Sequence, residues 1–219
     1  MRITFLCSDE QHPVNNHLKR WMQRANGRHD ISLVHKKRDL PGGDVLFLVS
    51  CSEIVSARER AGYRASLVIH ASDLPYGRGW SPHIWQIIQG AKEITLSLLE
   101  AEDKVDSGRI WNQIKFYVPN HALWDEINER LFDAEIALVD FAVNEFEVIT
   151  PRNQDPAVVP TYYPQRKPAD SQIDPWQNIA VQFDHIRICD PTRFPAFFEL
   201  RGHRYKIILE KIDGCPNTD

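Results

Sequence analysis

The chain has 219 residues, of which 42% are hydrophobic and 26% charged, and its formal net charge is −4. That balance suits one α/β domain with a smaller appendage, and it argues against a general nucleic-acid-binding surface, which needs a basic excess. Cys7, Cys51, Cys189 and Cys215 are scattered with no CxxC pair, so neither a disulfide framework nor a zinc knuckle is suggested and no metal is expected. The opening stretch MRITFLCSDEQ is too short an apolar run for a signal peptide or a membrane span. A cytoplasmic chain with reduced thiols and no membrane contact is the expectation.

Ile3–Leu6 is an apolar run of strand length. Leu18, Trp21, Met22 and Ala25 recur at helical spacing within 12–28, and Asn26-Gly27 is a stop signal. Ile31–Val34 reads as a strand, and Val45–Val49 as a fully apolar strand for the centre of a parallel sheet. Ser52 could cap a short helix through Arg60. Leu67–Ile69 is the next central strand. No GxGxxG follows the first strand, so a dinucleotide cofactor is not indicated. Pro82 starts a helix that stops at Gly90; Glu93–Leu99 and 110–117 are strands. Asn120 is read as the cap of a long helix to about Phe146, with Trp124, Ile127, Leu131, Ala134, Leu138 and Ala142 as its core stripe. This alternation predicts a Rossmann-like α/β domain over 1–148 with a mainly parallel sheet. Residues 149–219 are then a proline-rich linker and a small α+β appendage. In the appendage, Asp174-Pro175 opens a helix with Ile179, Phe183 and Ile186 on one face, and 193–212 forms two strands about Arg201-Gly202. An apolar strand pair there could serve a homodimer.

The stretch from 67 to 110 carries the chemistry. It starts as a buried strand ending on His70, expected to be exposed, and runs through a Pro/Gly-rich loop, a helix and a strand to an acidic turn at Asp106. A lone histidine on an apolar strand is often structural. The carboxyl end of a central parallel strand, however, is where open α/β sheets bind ligands. Asp-Ser-Gly is also an ordinary turn, and Glu100, Glu102 and Asp103 beside it read as solvated charges. His70 and Asp106 lie one strand–helix–strand unit apart, so a proton-handling pair is feasible though not demanded.

On these residues the chain resembles a known family. His70-Ala71-Ser72-Asp73-Leu74-Pro75, Gly77-Arg78-Gly79, Ser81-Pro82 and Trp85 are similar to the HPSLLP…RG…P…W signature of the formyltransferase fold. Val105-Asp106-Ser107-Gly108-Arg109-Ile110 resembles the turn that holds the family's aspartate. The resemblance implies an N-formyltransferase that uses 10-formyltetrahydrofolate and no metal, with His70 and Asp106 as the catalytic pair. It further implies that the folate lies against Ser50, Cys51 and Ser52 and beside Trp80.

The tail from Arg166 to Phe197 looks like that of sugar N-formyltransferases, and the loop 72–87 is similar to those of pseudaminic-acid-type pathways. The implied acceptor is a nucleotide-linked amino-deoxysugar of the UDP-4-amino-4,6-dideoxy-N-acetyl-altrosamine type. Ser72, Arg78, Tyr162 and Phe197 become candidate substrate contacts: Arg78 could meet a diphosphate or be a surface arginine, and the two rings could stack on a base or only pack. The alternatives are a methionyl-tRNA formyltransferase-like enzyme and a folate-binding protein with little turnover. The second is encouraged by Val68, which stands where the family has an asparagine that binds the formyl oxygen. Loss of such a donor costs about 10²–10³ in rate, and the Ser72 hydroxyl is one candidate replacement.

Overall fold

The structure, a computed structural model, describes residues 1–212; Cys215 lies outside them. In chain order the elements are β1 (Arg2–Leu6), α1 (Val14–Ala25), β2 (Asp30–Val34), β3 (Gly43–Leu48), α2 (Ala57–Arg60), β4 (Tyr63–His70), β5 (Arg78–Gly79), α3 (Pro82–Ile88), β6 (Glu93–Glu100), β7 (Ile110–Tyr117), α4 (Trp124–Glu145), β8 (Tyr162–Tyr163), α5 (Ile179–Arg187), β9 (Ala196–Leu200) and β10 (His203–Ile207).

Six strands form one sheet in the order β2-β1-β3-β4-β6-β7. The first four are mutually parallel, whereas β6 is antiparallel to both β4 and β7. The fold is therefore mixed α/β with a mainly parallel central sheet.

The period of two along each strand builds two layers. Ile3, Phe5, Val45, Phe47, Leu67 and Ile69 face the main core, while Leu6, Leu46 and Leu48 face a second cluster with Val55 and Tyr63. Phe5 stacks on Phe47 at 5.3 Å and meets Trp21 of α1 edge-on at 5.4 Å. The Trp21 indole N–H donates to Asp140 at 2.6 Å, which ties α1 to α4. The stripe Ile127, Leu131, Ala134, Leu138 and Ala142 is buried as its spacing requires; Trp124 is only half-buried.

Helix starts are where sequence expectation and structure part. Ser56, not Ser52, caps α2: its hydroxyl accepts from the Glu59 N–H, while its own N–H donates to the Glu59 carboxylate at 2.7 Å. Asn120 does not cap α4. Residues 119–122 are spent in a turn, and the Leu123 N–H donates to Glu126 at 2.8 Å. The last helix begins at Ile179, capped by Asn178, because Asp174 instead closes a local turn by accepting from the Trp176 N–H. Its buried residues are Gln182, Ile186 and Arg187; Ile179 is exposed.

The segment after residue 148 packs on the sheet domain. Ile173, Ile186, Ile188, Cys189 and Ala196 belong to the main core. Buried Arg187 donates to the carbonyls of Pro119 at 3.1 Å and Ala122 at 2.9 Å. No helix among the described residues is long and apolar enough to cross a membrane.

Candidate active site

His70 ends β4 on the carboxyl edge of the parallel strands, and Ser50–Ser52 follow β3, its hydrogen-bonded neighbour, on the same edge. Contrary to expectation, His70 is buried, with 6% of its surface exposed. The loop after it folds back. The Gly77 carbonyl lies 2.8 Å from His70 Nε2, and because a carbonyl only accepts, Nε2 carries a proton. The other nitrogen, Nδ1, faces Asp106 Oδ2 at 3.6 Å.

β6 runs antiparallel to β4, passes His70 at Ser97 and ends with Glu100 opposite Leu67, so the turn that follows must fold back along the strand for Asp106 to meet the histidine. The turn that follows is held tightly. Asp106 sits at φ +53°, and the Gln154 side chain donates to the carbonyls of Asp106 at 2.8 Å and Gly108 at 2.9 Å. A Cβ on Gly108 would fall 1.9 Å from the Glu100 carbonyl, so the turn closes only with glycine there.

β5 is wedged between this pair and the chain beyond residue 150. On one edge it turns the Gly77 carbonyl to His70 and the Gly79 N–H to Asp106 Oδ2 at 2.8 Å. On the other, Arg78 N–H donates to the Thr161 carbonyl and Trp80 N–H to that of Tyr163, so β8 becomes a parallel partner. A Cβ on Gly79 would meet the Tyr163 carbonyl at 2.4 Å, which explains the glycine spacing around Arg78.

Arg78 itself is 5% exposed. Its guanidinium donates to Gln154 at 2.6 Å and to the Tyr162 hydroxyl at 3.4 Å, while its Nε has no partner. The surface-arginine alternative is thereby overturned: the side chain is drawn inward by Gln154. Ser72 is also buried, and its hydroxyl has no hydrogen-bond partner, although its carbonyl accepts from Ser97 at 2.7 Å. Val68, two residues before His70, packs with Leu74, Leu99 and Ile110.

The structure thus brings His70, Ser72, Arg78, Asp106 and Tyr162 around β5. Trp80 and Tyr162 present open ring surface. Ser50, at φ +47°, and Ser52 are exposed, whereas the Cys51 thiol is turned to the Glu53 carbonyl and to Ser8, and burial pushes it up. Phe197 is not with this group. It is buried in β9 with the Arg204 guanidinium 4.4 Å over its ring.

Residues that the sequence did not mark complete the site. Gln154 and Thr161 belong to a loop without periodicity, and nothing local identifies them. His83, at the start of α3, is pushed down to about 4 by burial and by the neighbouring His70, His12 and Arg166. A buried imidazole beside a carboxylate, a neutral imidazole nearby and an unpartnered hydroxyl together can accept, hold and return a proton and donate to a developing oxyanion.

Residues 6–141 match the model of a family described as formyl transferase. The chain is 31% identical over 160 residues to a methionyl-tRNA formyltransferase of Cereibacter sphaeroides (strain ATCC 17029 / ATH 2.4.9), covering 71% of this chain and 52% of that protein. It spans about half the length of the curated relatives it matches. Among solved structures, a methionyl-tRNA formyltransferase from Clostridium thermocellum superposes with a TM-score of 0.78 at 21% identity, covering 93% of this chain and 90% of that one. The Mycobacterium tuberculosis protein Rv3404c, described as a candidate sugar N-formyltransferase, does so with 0.74 at 19% identity, covering 98% and 99%.

Proposed function

We propose that this chain, which belongs to the formyl transferase family, transfers a formyl group from 10-formyltetrahydrofolate to the amine of a nucleotide-linked amino-deoxysugar. The observation that carries formyl transfer is the buried pair of His70 and Asp106, 3.6 Å apart at the carboxyl end of β4.

The lone pair of the neutral amine attacks the formyl carbon, and the carbonyl electrons move to oxygen. Collapse of that oxyanion breaks the bond to the folate nitrogen, which takes up a proton. The amine loses a proton in the same sequence, so the site must move one proton from one nitrogen to the other. His70 is the carrier: its Nε2–H is oriented by the Gly77 carbonyl, and its Nδ1 receives or returns the proton under the influence of Asp106. Asp106 in turn is held by the Gly79 N–H and the Gln154-braced turn. With Val68 apolar, the unpartnered Ser72 hydroxyl is assigned to the oxyanion. The activated donor and the nucleophilic amine need no metal for this reaction.

The folate is assigned to the Ser50–Ser52 edge and the exposed Trp80 ring, and the nucleotide base to the exposed Tyr162 ring. A sugar nucleotide is favoured over tRNA by the acidic chain, whose net charge of −4 does not suit a polyanionic partner. An acceptor of the UDP-4-amino-4,6-dideoxy-N-acetyl-altrosamine type, as in pseudaminic acid assembly, is the finer reading.

A second reading, methionyl-tRNA formylation, is favoured by the names of the matched sequence relatives. Incubation with 10-formyltetrahydrofolate, a panel of nucleotide-4-aminosugars and charged initiator tRNA separates them. The proposal expects the mass gain of one CO on a nucleotide sugar, slowed about 10³-fold in His70→Ala. Product on the tRNA alone would select the second reading, and folate binding without product would select a binding protein.

A further inference from the structure

The groove between α1 and α4, about 540 Å³ in volume, lies apart from the residues around β5 and takes no part in the reaction above. His17 of α1 lines it, together with Glu129 of α4. One turn on from Glu129, Asp133 points the same way, as an i,i+4 pair on a helix must. His17 is 7% exposed, yet neither of its ring nitrogens has a hydrogen-bond partner. Its Nε2 stands 3.2 Å from Glu129 Oε1, outside hydrogen-bond geometry, and 3.8 Å from Asp133 Oδ1, too far to bond.

We propose that His17, Glu129 and Asp133 bind a divalent first-row transition ion of the zinc class. The donor atoms offered by the three residues all lie within 4.8 Å of one another. Bonds of about 2.1 Å to one ion place neighbouring donors roughly 3.0 Å apart in octahedral and 3.4 Å apart in tetrahedral geometry. The two separations measured from Nε2 sit at those values or slightly beyond, and the carboxylates are 58% and 72% exposed, free to close the difference by rotamer adjustment.

A buried imidazole nitrogen without a partner is unfavourable, and a metal bond to its lone pair removes that cost. Two carboxylates neutralise a dipositive ion. One imidazole among the donors selects zinc, cobalt or nickel over magnesium and calcium, which prefer all-oxygen sites. Arg20, with Nη2 3.6 Å from Glu129 Oε1, is the competing cation, but it is exposed and replaceable. Three protein ligands leave a position for water. The ion would clamp α1 to α4 at the groove, beyond the Trp21–Asp140 hydrogen bond that already joins them.

Native mass spectrometry and calorimetric titration of the full chain with Zn²⁺, repeated with Co²⁺ followed by visible absorption, test this. The expected result is one equivalent of Zn²⁺, a rise in thermal midpoint, and cobalt d–d bands. All three should weaken at least ~10-fold in affinity in His17→Gln and in Asp133→Asn. Asp133→Asn alters an exposed side chain, so loss of binding there cannot be blamed on misfolding. Zinc binding unchanged in both variants, which would locate the ion on other residues such as the thiols, or no saturable binding by the wild-type chain, would overturn the proposal.

Discussion

His70 and His17 are both buried histidines on elements of the same core, and the difference between their surroundings is instructive. His70 ends a strand, and two loops reach it from 7 and 36 residues away, so that each ring nitrogen faces a named group, Gly77 or Asp106. His17 lies in the first turn of α1, and its neighbours across the groove come from a second helix whose side chains approach without orienting it. Burial is common to both. Strand ends gather convergent backbone and side-chain groups, whereas helix–helix seams offer only what happens to stand at matching turns.

The largest expected effect is on the strand-end histidine. His70→Ala should lower formyl transfer by about 10³-fold, while His17→Gln, measured in the same assay, should leave the rate unchanged. Equal losses in the two variants would erase the functional distinction between the sites. Asp106→Asn should cost about 10²-fold in kcat with a smaller change in KM, because the amide keeps the contact to the Gly79 N–H but not the charge beside Nδ1.

Gly79→Ala probes the scaffold. Its Cβ would sit 2.4 Å from the Tyr163 carbonyl at φ +99°, so β5 must part from β8. A loss of about 2 kcal/mol in urea-derived stability, together with a fall in transfer, is expected. Full activity in this variant would mean that the wedge does not position the pair.

Glu135, on the same helix as Glu129 but turned inward, gives a pH signature. Burial pushes its carboxyl up to about 8, from a usual value of 4.5. Between those two values the folded chain keeps a proton that the unfolded chain has released, so this group's contribution to stability declines as pH rises across the window and levels off above it. Glu135→Gln should flatten that decline and stabilise the protein at pH 8 by roughly 1–3 kcal/mol, readable from denaturant midpoints. His12 and His83 act in the opposite sense. Burial, the largest cause for both, holds them down to about 4 against 6.5, so their contribution is lost as pH falls from 6.5 toward 4.

The smallest effect is at the rim. Trp80→Ala should raise KM for 10-formyltetrahydrofolate by about 10-fold with kcat little changed, as removal of one stacking surface predicts.

Much of the fold was legible residue by residue. Val45–Val49 and Leu67–Ile69 read as central strands because a strand buried on both faces has no polar alternation, and both lie mid-sheet. Leu131, Leu138 and Ala142 marked the buried face of α4 by spacing alone. The caps were less legible, because Ser52, Asn120 and Asp174 are good capping types that the structure spends on turns or leaves free. Of the site, His70 and Asp106 could be named from their motifs. Their approach could not be read, since it depends on the turn after β6 folding back to the strand end, where the Gly79 N–H and the Gln154 side chain hold it. Gln154 and Thr161 were invisible, being polar residues in an aperiodic loop.

What the amino-acid sequence determined by itself was local: periodicity set the strands and helices, and the glycines of Gly77-Arg78-Gly79 and Asp106-Ser107-Gly108 reserved the places where backbone had to pass close to backbone. Tertiary structure decided which distant groups occupy the space so reserved: the carbonyl of Gly77 on one imidazole nitrogen, the carboxylate of Asp106 beside the other, and Gln154 beneath both turn carbonyls. Sequence patterns record the steric needs of a segment, but hydrogen-bond partners far along the chain are chosen only when the sheet brings them to the same edge.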